Sequence, residues 1–316
     1  MAIPALNEAE TLPWVLSGIP GELSGIPVDI LVVDDGSSDD TAAVALKAGA
    51  RVVSHGRNMG LGQAFRTMLS AAREGGYFFM ATLDADGQFD PAYLSALAAP
   101  VLENECDFST ASRFADPGLV PNMPRLKKWG NRRVARLVSR LGGIRIMDAT
   151  CGYRFYGPRA LERVACLSRF TYTQEVIIDL VMKGMRVREV PLPILGERAS
   201  GKSRIAGNLW RYALLSIEAM YSVAHGHTPW KIYGAPALVL ISLGAVMGLF
   251  VLIHWLSTGA VTPYAGLGIG GLFLITFGIL MLLFASVADI GSSNRKLLEE
   301  LIESETRKKR AQSRGA

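Results

Sequence analysis

Three side chains that follow a short apolar run could hold a metal ion. Asp84, Asp86 and Gln88 stand two residues apart in TLDADGQFDP, and they begin where the apolar run YFFMATL ends. A turn at that place needs only one Asp and one Gly, so the remaining polar groups require another explanation. Mg²⁺ and similar hard cations take one or two carboxylates together with phosphate oxygens of a substrate. The spacing therefore predicts a site for Mg²⁺ or Mn²⁺ that neutralises a departing diphosphate.

The segments that must position these side chains alternate between strands and helices up to about residue 111. This alternation is typical of an α/β domain with a mostly parallel sheet. Ligands bind such sheets at the carboxyl ends of the strands. The acidic pairs Asp34–Asp35 and Asp84–Asp86 both stand at predicted strand ends. We therefore expect one site at the carboxyl edge of the sheet.

Two long apolar segments stand near the C-terminus. Half of the 316 residues are apolar, and the excess is concentrated in residues 232–256 and 266–290. Each is longer than the roughly 20 residues that span a bilayer, and two buried core helices would be the alternative. Basic residues flank the pair while the connector is uncharged, so the positive-inside rule predicts a transmembrane hairpin over 231–291. The N-terminal domain, both termini and a basic tail, 292–316, would be cytoplasmic.

A basic amphipathic pattern precedes the apolar segments. Cationic residues recur at helical spacing opposite an apolar side that includes Trp129; they are Arg125, Lys128, Arg132, Arg136 and Arg140. Such a helix, near 125–141, is typical of one lying on anionic membrane lipid, and a solvated surface helix is the alternative. Residues 205–230 give a second, juxtamembrane amphipathic helix. The net charge of +5 fits an anionic partner. Nucleic acid is disfavoured because the basic residues lie beside an apolar face and a membrane hairpin, not among base-stacking aromatics.

Two patterns for other chemistries are weak. Gly196–Ser203 matches the P-loop pattern GxxxxGKS, but Pro191 and Pro193 precede it and a buried central strand does not tolerate proline. We interpret the segment as a cationic loop that could hold a phosphate. The three cysteines lack disulfide or metal spacing, and no motif predicts a covalent nucleophile.

Seven motifs then occur in an order that resembles the family-2 glycosyltransferases of the dolichol-phosphate mannose synthase type and their polyprenyl-phosphate glycosyltransferase relatives. They are PALNEAE (Pro4–Glu10), VVDDGSSDDT (Val32–Thr41), NMGLGQA (Asn58–Ala64), DADGQ (Asp84–Gln88), DATCGYRFY (Asp148–Tyr156), TQEVIIDLVMKGMRVREVP (Thr173–Pro191) and ERASGKSR (Glu197–Arg204). The resemblance implies a GT-A-type nucleotide-diphospho-sugar transferase domain over residues 1–204.

The resemblance also implies roles for individual residues. Those for the nucleotide-sugar donor are Pro4, Asn7, Glu8, Val32, Asp34, Asp84, Ala85, Asp86, Arg198 and Arg204. Those for the metal are Asp84, Asp86 and Gln88, and those for the acceptor are Arg113, Arg132 and Glu175. Those for catalysis are Asp86, Asp148, Arg198 and Arg204. The chain departs from the family where Leu6 replaces a common Tyr, Cys151 a frequent Ser and Arg204 a frequent Lys.

The implied reaction is an inverting transfer of a hexose from UDP-glucose or GDP-mannose to a membrane polyprenyl phosphate, either undecaprenyl or dolichyl phosphate. Two alternatives stay open: a membrane-anchored glycosyltransferase acting on another acceptor, and a non-catalytic scaffold that binds nucleotide-sugar. Asp148 is expected to orient the acceptor or to act as a base, and the sequence does not separate these roles. It also leaves the oligomeric state open, a homo-oligomer included.

Overall fold

The computed structural model describes residues 1–119, 125–166, 168, 171–193, 218, 221, 225 and 229–314. The chain forms two compact units, Met1–Met220 and Tyr221–Ala316. The expected cationic loop at 196–203 lies outside the described residues, and so does most of the expected helix at 205–230.

A seven-stranded sheet forms the centre of the first unit, in the order β5-β4-β1-β6-β8-β7-β9. Its strands are β1 (Ala2–Ala5), β4 (Leu31–Asp34), β5 (Arg51–Ser54), β6 (Met80–Thr82), β7 (Phe108–Ser112), β8 (Arg154–Tyr156) and β9 (Val187–Pro191), and a separate hairpin pairs β2 (Glu22–Leu23) with β3 (Ile26–Pro27). Within this sheet β8 runs antiparallel to its neighbours β6 and β7, while the other pairings are parallel. The predicted mostly parallel α/β sheet is confirmed.

Seven helices of the described part of this unit surround the sheet. They are α1 (Leu12–Ser17), α2 (Thr41–Lys47), α3 (Leu61–Glu74), α4 (Leu94–Leu102), α5 (Arg125–Gly142), α6 (Pro158–Arg163) and α7 (Thr173–Met182). Asp90 caps the short turn before α4, because its side chain accepts the backbone N–H of Ala92 at 2.9 Å. The basic pattern near 125–141 does form a helix, α5.

The position of β9 bears on the P-loop pattern. This strand lies at the edge of the sheet and ends at Pro191. An edge strand accommodates proline, whereas a P-loop follows a central strand. The location therefore disfavours a nucleotide-binding P-loop after β9.

A buried arginine helps to join β8 to α7. Arg154 is completely buried and donates hydrogen bonds to the carbonyl oxygens of Cys151 at 2.8 Å and Thr173 at 2.6 Å. Its guanidinium also lies over the rings of Phe108 and Tyr172, which offsets part of the cost of burying the charge. The segment that precedes β8 is thereby fixed to the start of α7.

The second unit contains two long helices, α8 (Ala235–Thr258) and α9 (Ala265–Arg314). The apolar stretches Trp230–Thr258 and Ala265–Asn294 are long and apolar enough to cross a membrane, and only 17% and 11% of their most apolar windows are buried. This exposure disfavours the alternative of two buried core helices. Within the predicted tail 292–316, the helix continues to Arg314.

Candidate active site

The topology places the predicted site residues that stand in or directly after β1, β4, β6 and β7 at one edge of the sheet. Strands β1, β4, β6 and β7 run in the same direction, so the residues after each strand emerge on the same side. Antiparallel β8 begins at that edge, which adds the segment from Asp148 to Gly152. As a result, segments far apart in sequence converge where the sequence predicted a ligand site.

The loops that follow β1 and β4 are hydrogen-bonded to each other. Asn7 accepts the backbone N–H of Ser38 at 2.7 Å with its side chain and donates its own backbone N–H to the hydroxyl of Ser37 at 2.9 Å. Its φ of 49° is unusual for a residue other than glycine but tolerated by asparagine. The side chain of Asp34 accepts the N–H of Ser37 at 3.0 Å. Asn7 and Asp34, both expected on the donor side, thus belong to one loop pair.

The remaining donor-side residues support this loop pair. The backbone N–H of Glu8 donates to the hydroxyl of Thr41 at 2.9 Å. Pro4 and Val32 are buried on neighbouring strands beneath the loops. The hydroxyl of Thr11 lies 2.7 Å from the carbonyl oxygen of Ala85, which connects the β1 and β6 loops.

Asp35 has a structural role that the sequence did not reveal. One carboxylate oxygen lies 2.7 Å from His55 Nδ1 and accepts the N–H of Met59 at 2.9 Å, and the other accepts the N–H of Gly60 at 2.9 Å. These bonds fix the loop that precedes α3. Of the two acids at the end of β4, Asp35 therefore organises the loop, whereas Asp34 remains the candidate for ligand contact.

The predicted metal ligands lie directly after β6. Asp86 is 7% exposed, and its carboxylate accepts the N–H of Gln88 at 3.1 Å in a tight turn. The carboxylate of Asp84 packs against Gly152, where a Cβ atom would be only 2.4 Å from Asp84 Oδ2. A side chain at position 152 would therefore displace the Asp84 carboxylate. Two carboxylates and an amide are a donor set suited to Mg²⁺ or Mn²⁺.

The described residues contain no cluster of three or more His, Cys, Asp or Glu side chains with metal-binding geometry. The Asp84–Gln88 donor set instead matches a hard cation that completes its coordination with substrate oxygens.

On the other side of the edge, Arg113 and Asp148 form a buried ion pair. Arg113 Nε donates to Asp148 Oδ2 at 2.6 Å and its Nη2 donates to Oδ1 at 2.9 Å. The Asp148 side chain is fully buried, and that of Arg113 is 9% exposed. Burial by itself raises the pKa of Asp148, but the charge and hydrogen bonds of Arg113 outweigh burial and hold that pKa below its ordinary value. Arg113, predicted to contact the acceptor, and Asp148, predicted to act in catalysis, therefore form one ion-paired unit.

This ion pair is connected to α5 through Thr150. Arg113 Nη2 donates to the Thr150 hydroxyl at 2.7 Å, and that hydroxyl lies 2.7 Å from Asn131 Oδ1 on α5. On the opposite side, Glu189 of β9 accepts two backbone N–H groups of the Asp148 segment. Sequence reasoning missed Asn131 and Glu189, because their contacts depend on how α5 and β9 pack against the segment before β8.

The other expected acceptor residues differ in position. Glu175 on α7 is 2% exposed and accepts the N–H of Ser168 at 2.9 Å. Arg132 on α5 is exposed. Arg198 and Arg204 lie outside the described residues.

A basic groove runs between α5 and residues 143–147. Its cavity volume is about 810 Å³, and its cationic lining residues are Lys128, Arg132, Arg136, Arg140 and Arg145. The described lining includes no acidic residue, and Phe114, Ile144, Ile146 and Met147 supply apolar surface. Phe114 and Met147 are the chain neighbours of Arg113 and Asp148, so the groove borders the ion pair.

The exposed surface of α5 also carries apolar side chains. Trp129 is 56% exposed and Leu137 is 36% exposed, whereas Val138 is buried. The guanidinium of Arg133 lies 4.9 Å from the centre of the Trp129 ring. The helix thus packs on the domain and also presents an apolar and basic surface, which is typical of interfacial helices.

Comparisons with known proteins agree with this architecture. The family model of Glycosyl transferase family 2 matches residues 1–165. The polyprenol monophosphomannose synthase of Mycolicibacterium smegmatis is 32% identical over 243 residues, covering 73% of this chain and 86% of the relative. The undecaprenyl-phosphate mannosyltransferase of Micrococcus luteus is 29% identical over 228 residues, covering 68% of this chain and 90% of the relative.

A solved structure gives the same fold. Glucosyl-3-phosphoglycerate synthase from Mycobacterium tuberculosis, in complex with Mn²⁺, UDP-glucose and phosphoglyceric acid, superposes with a TM-score of 0.56 at 21% identity, covering 71% of this chain and 78% of that one. The fold is GT-A-like. With its family match, its relatives and its acidic strand end on a mostly parallel sheet, the chain belongs to glycosyl transferase family 2.

Proposed function

We propose that the protein transfers a hexose from a nucleotide-sugar, UDP-glucose or GDP-mannose, to the phosphate of a membrane polyprenol, undecaprenyl or dolichyl phosphate. The observation that carries this proposal is the basic groove beside Asp148. Its cationic side chains suit a lipid phosphate, and its apolar lining suits the first part of a prenyl chain. The names of the two relatives, a polyprenol monophosphomannose synthase and an undecaprenyl-phosphate mannosyltransferase, support the same acceptor.

On the donor side, the linked loops after β1 and β4 would hold the nucleotide. Pro4, Val32 and Ala85 would form the base of that pocket, while Asn7, Glu8 and Asp34 would supply its polar contacts. Asp84, Asp86 and Gln88 would hold Mg²⁺ or Mn²⁺, which when bound neutralises charge on the diphosphate. The Mn²⁺ and UDP-glucose in the solved structure with this fold support the assignment. Arg198 and Arg204 are proposed to contact the same diphosphate.

The transfer itself needs little proton chemistry. An oxygen of the lipid phosphate attacks the anomeric carbon, the bond from that carbon to the diphosphate oxygen breaks, and the configuration inverts. The attacking phosphate oxygen already carries negative charge near neutral pH, so positioning and charge stabilisation dominate. Asp148 is a weak base because Arg113 neutralises it and lowers its pKa. We therefore assign the ion pair to orienting the acceptor.

The remaining acceptor residues have different proposed tasks. Arg132 is exposed in the groove and would contact the lipid phosphate directly. Glu175 is buried and accepts the backbone N–H of Ser168. It would shape the acceptor side by holding this segment in place.

The membrane arrangement follows from the same chemistry. The two apolar helices would form a transmembrane hairpin, with the catalytic domain and both termini cytoplasmic. Helix α5 would lie on anionic lipid through Trp129 and its basic side chains. The prenyl chain would then stay in the bilayer while its phosphate enters the groove.

One experiment tests the reaction directly. Purified full-length protein is incubated with undecaprenyl or dolichyl phosphate and a panel of labelled nucleotide-sugars, with and without EDTA. We expect metal-dependent movement of label into the organic phase. Transfer only to a water-soluble acceptor would favour a different acceptor class, and donor binding without any transfer would favour a scaffold.

A further inference from the structure

Glu189 accepts two backbone hydrogen bonds that have no role in the proposed reaction so far. It lies on the edge strand β9, opposite Thr110 of β7 in the strand register. Its Oε2 accepts the backbone N–H of Met147 and its Oε1 accepts that of Asp148, each at 2.8 Å. Two successive backbone donors thus meet the two oxygens of one carboxylate. This contact anchors the segment before β8 from a strand that is about 40 residues later in the chain.

The anchored segment carries the ion pair. The Asp148 N–H is held by Glu189, while the Asp148 side chain holds both the backbone N–H and the guanidinium of Arg113. Thr150, two residues later, bonds to Asn131 on α5. A continuous set of polar contacts therefore runs from β9 through Asp148 to the helix that forms the basic groove.

The chemistry of the contact requires a carboxylate. Glutamine has nearly the same shape but only one acceptor oxygen, so one N–H would face an amide NH₂. A buried backbone N–H without an acceptor is unfavourable, and the segment would shift to find one. Burial raises the pKa of Glu189, and the two backbone donors act in the opposite direction. The Glu189 carboxylate is thus partly buried and accepts hydrogen bonds from two backbone N–H groups.

We propose that Glu189 is a positioning residue for the transfer reaction: by holding the backbone N–H groups of residues 147 and 148, it sets the orientation of the Arg113–Asp148 pair toward the acceptor. Glu189 acts through that pair and has no contact with the reacting atoms. The inference rests on the proposed function, because it takes the ion pair to face the acceptor.

The test compares Glu189→Gln with Glu105→Gln in the full-length protein. Glu105 is a matched control, because it is a half-exposed acid in an ion pair with Arg188, the β9 neighbour of Glu189. We expect Glu189→Gln to reduce kcat/KM for undecaprenyl phosphate about tenfold, the effect of one lost charge-assisted hydrogen bond, with an unchanged KM for the nucleotide-sugar. Glu105→Gln should change neither. In an Asp148→Asn background, Glu189→Gln should add little further loss.

A second measurement does not depend on the identity of the substrates. Hydrogen exchange of peptides covering residues 147–150 should be faster in Glu189→Gln and unchanged in Glu105→Gln. Unchanged exchange in Glu189→Gln would overturn the proposal, and so would faster exchange with unaltered acceptor kinetics. If the wild type fails to use any polyprenyl phosphate, the proposed function is lost, yet the exchange result still decides whether Glu189 holds the segment. Should Glu189→Gln not fold, Glu189→Asp, which withdraws both oxygens by one methylene, gives the same comparison.

Discussion

Arg113 and Asp148 form a two-pronged ion pair at the end of β7, with bonds of 2.6 Å and 2.9 Å, and the Asp148 carboxylate has no solvent exposure. Each charge is removed from water and depends on the other. A change to this pair should therefore alter both the stability of the domain and the geometry of the proposed acceptor side.

Removing either partner should be costly. We expect Asp148→Asn and Arg113→Met each to lower the free energy of unfolding by about 3–5 kcal/mol, since each removes the ion-pair partner of a buried charge. The loss of unfolding free energy in the double variant should be clearly smaller than the sum of the losses in the two single variants. Thermal or denaturant unfolding in detergent measures all three, and strictly additive losses would contradict an energetic coupling between the two residues.

The low pKa of Asp148 gives a pH prediction. Because the folded-state pKa is below the unfolded one, the stability from this group is fully present above the ordinary Asp pKa of about 3.9. It is lost as pH falls through the lower folded pKa. The stability difference between wild type and Asp148→Asn should therefore be constant from about pH 7 to pH 5 and shrink toward pH 3. Over the constant range, kcat should show no step from Asp148; a step that disappears in the variant would indicate a general base.

The metal site is tested by a pair of aspartates four residues apart. Asp86→Ala should leave the fold intact and abolish metal-dependent transfer, because the donor set loses a carboxylate. Asp90→Ala is the control, since exposed Asp90 caps the turn at Ala92. It should cost about 1 kcal/mol of stability without loss of transfer. Transfer rates with added Mg²⁺ or Mn²⁺ and with EDTA distinguish the two, and full activity of Asp86→Ala would remove the metal assignment.

The basic groove should be sensitive to charge reversal. Arg132→Glu combined with Arg136→Glu is expected to raise the KM for polyprenyl phosphate more than about tenfold, because attraction for the lipid phosphate becomes repulsion. Lys47→Glu, at an exposed position of α2, serves as control and should have no effect on that KM. Kinetics in mixed micelles of fixed lipid content provide the measurement. Indifference to the double reversal would favour a soluble or glycan acceptor.

The helical hairpin offers a comparison between two glycines of α8. A Cβ on Gly244 would lie 2.5 Å from the Gly271 carbonyl oxygen of α9, whereas a Cβ on Gly248 meets no atom within 4 Å. Gly244→Val should therefore force the helices apart and cost roughly 1–3 kcal/mol. Gly248→Val should be tolerated. Melting temperatures in detergent compare the variants, and equal losses would show that close packing at Gly244 is not required.

Several features were predictable because they depend on local order in the chain. The acids at Asp84 and Asp86 follow an apolar strand, and alternating strand and helix patterns predict the α/β class. The two apolar segments are recognisable by length and composition alone. The helix over Arg125–Gly142 follows from its regular spacing of basic and apolar residues.

Other features required the three-dimensional arrangement. Arg113, the ion-pair partner of Asp148, stands 35 residues before it in the sequence. Glu189, which accepts the backbone N–H of Asp148, stands 41 residues after it. The assignment of Asp35 to loop structure and the edge position of β9 also depend on strand order and register. Periodicity in a sequence specifies which face of a strand is buried, but it does not specify which strand lies beside it. The sequence by itself therefore determined the types of groups available and the elements that carry them, while tertiary packing decided which charges neutralise one another and which side chains organise the backbone.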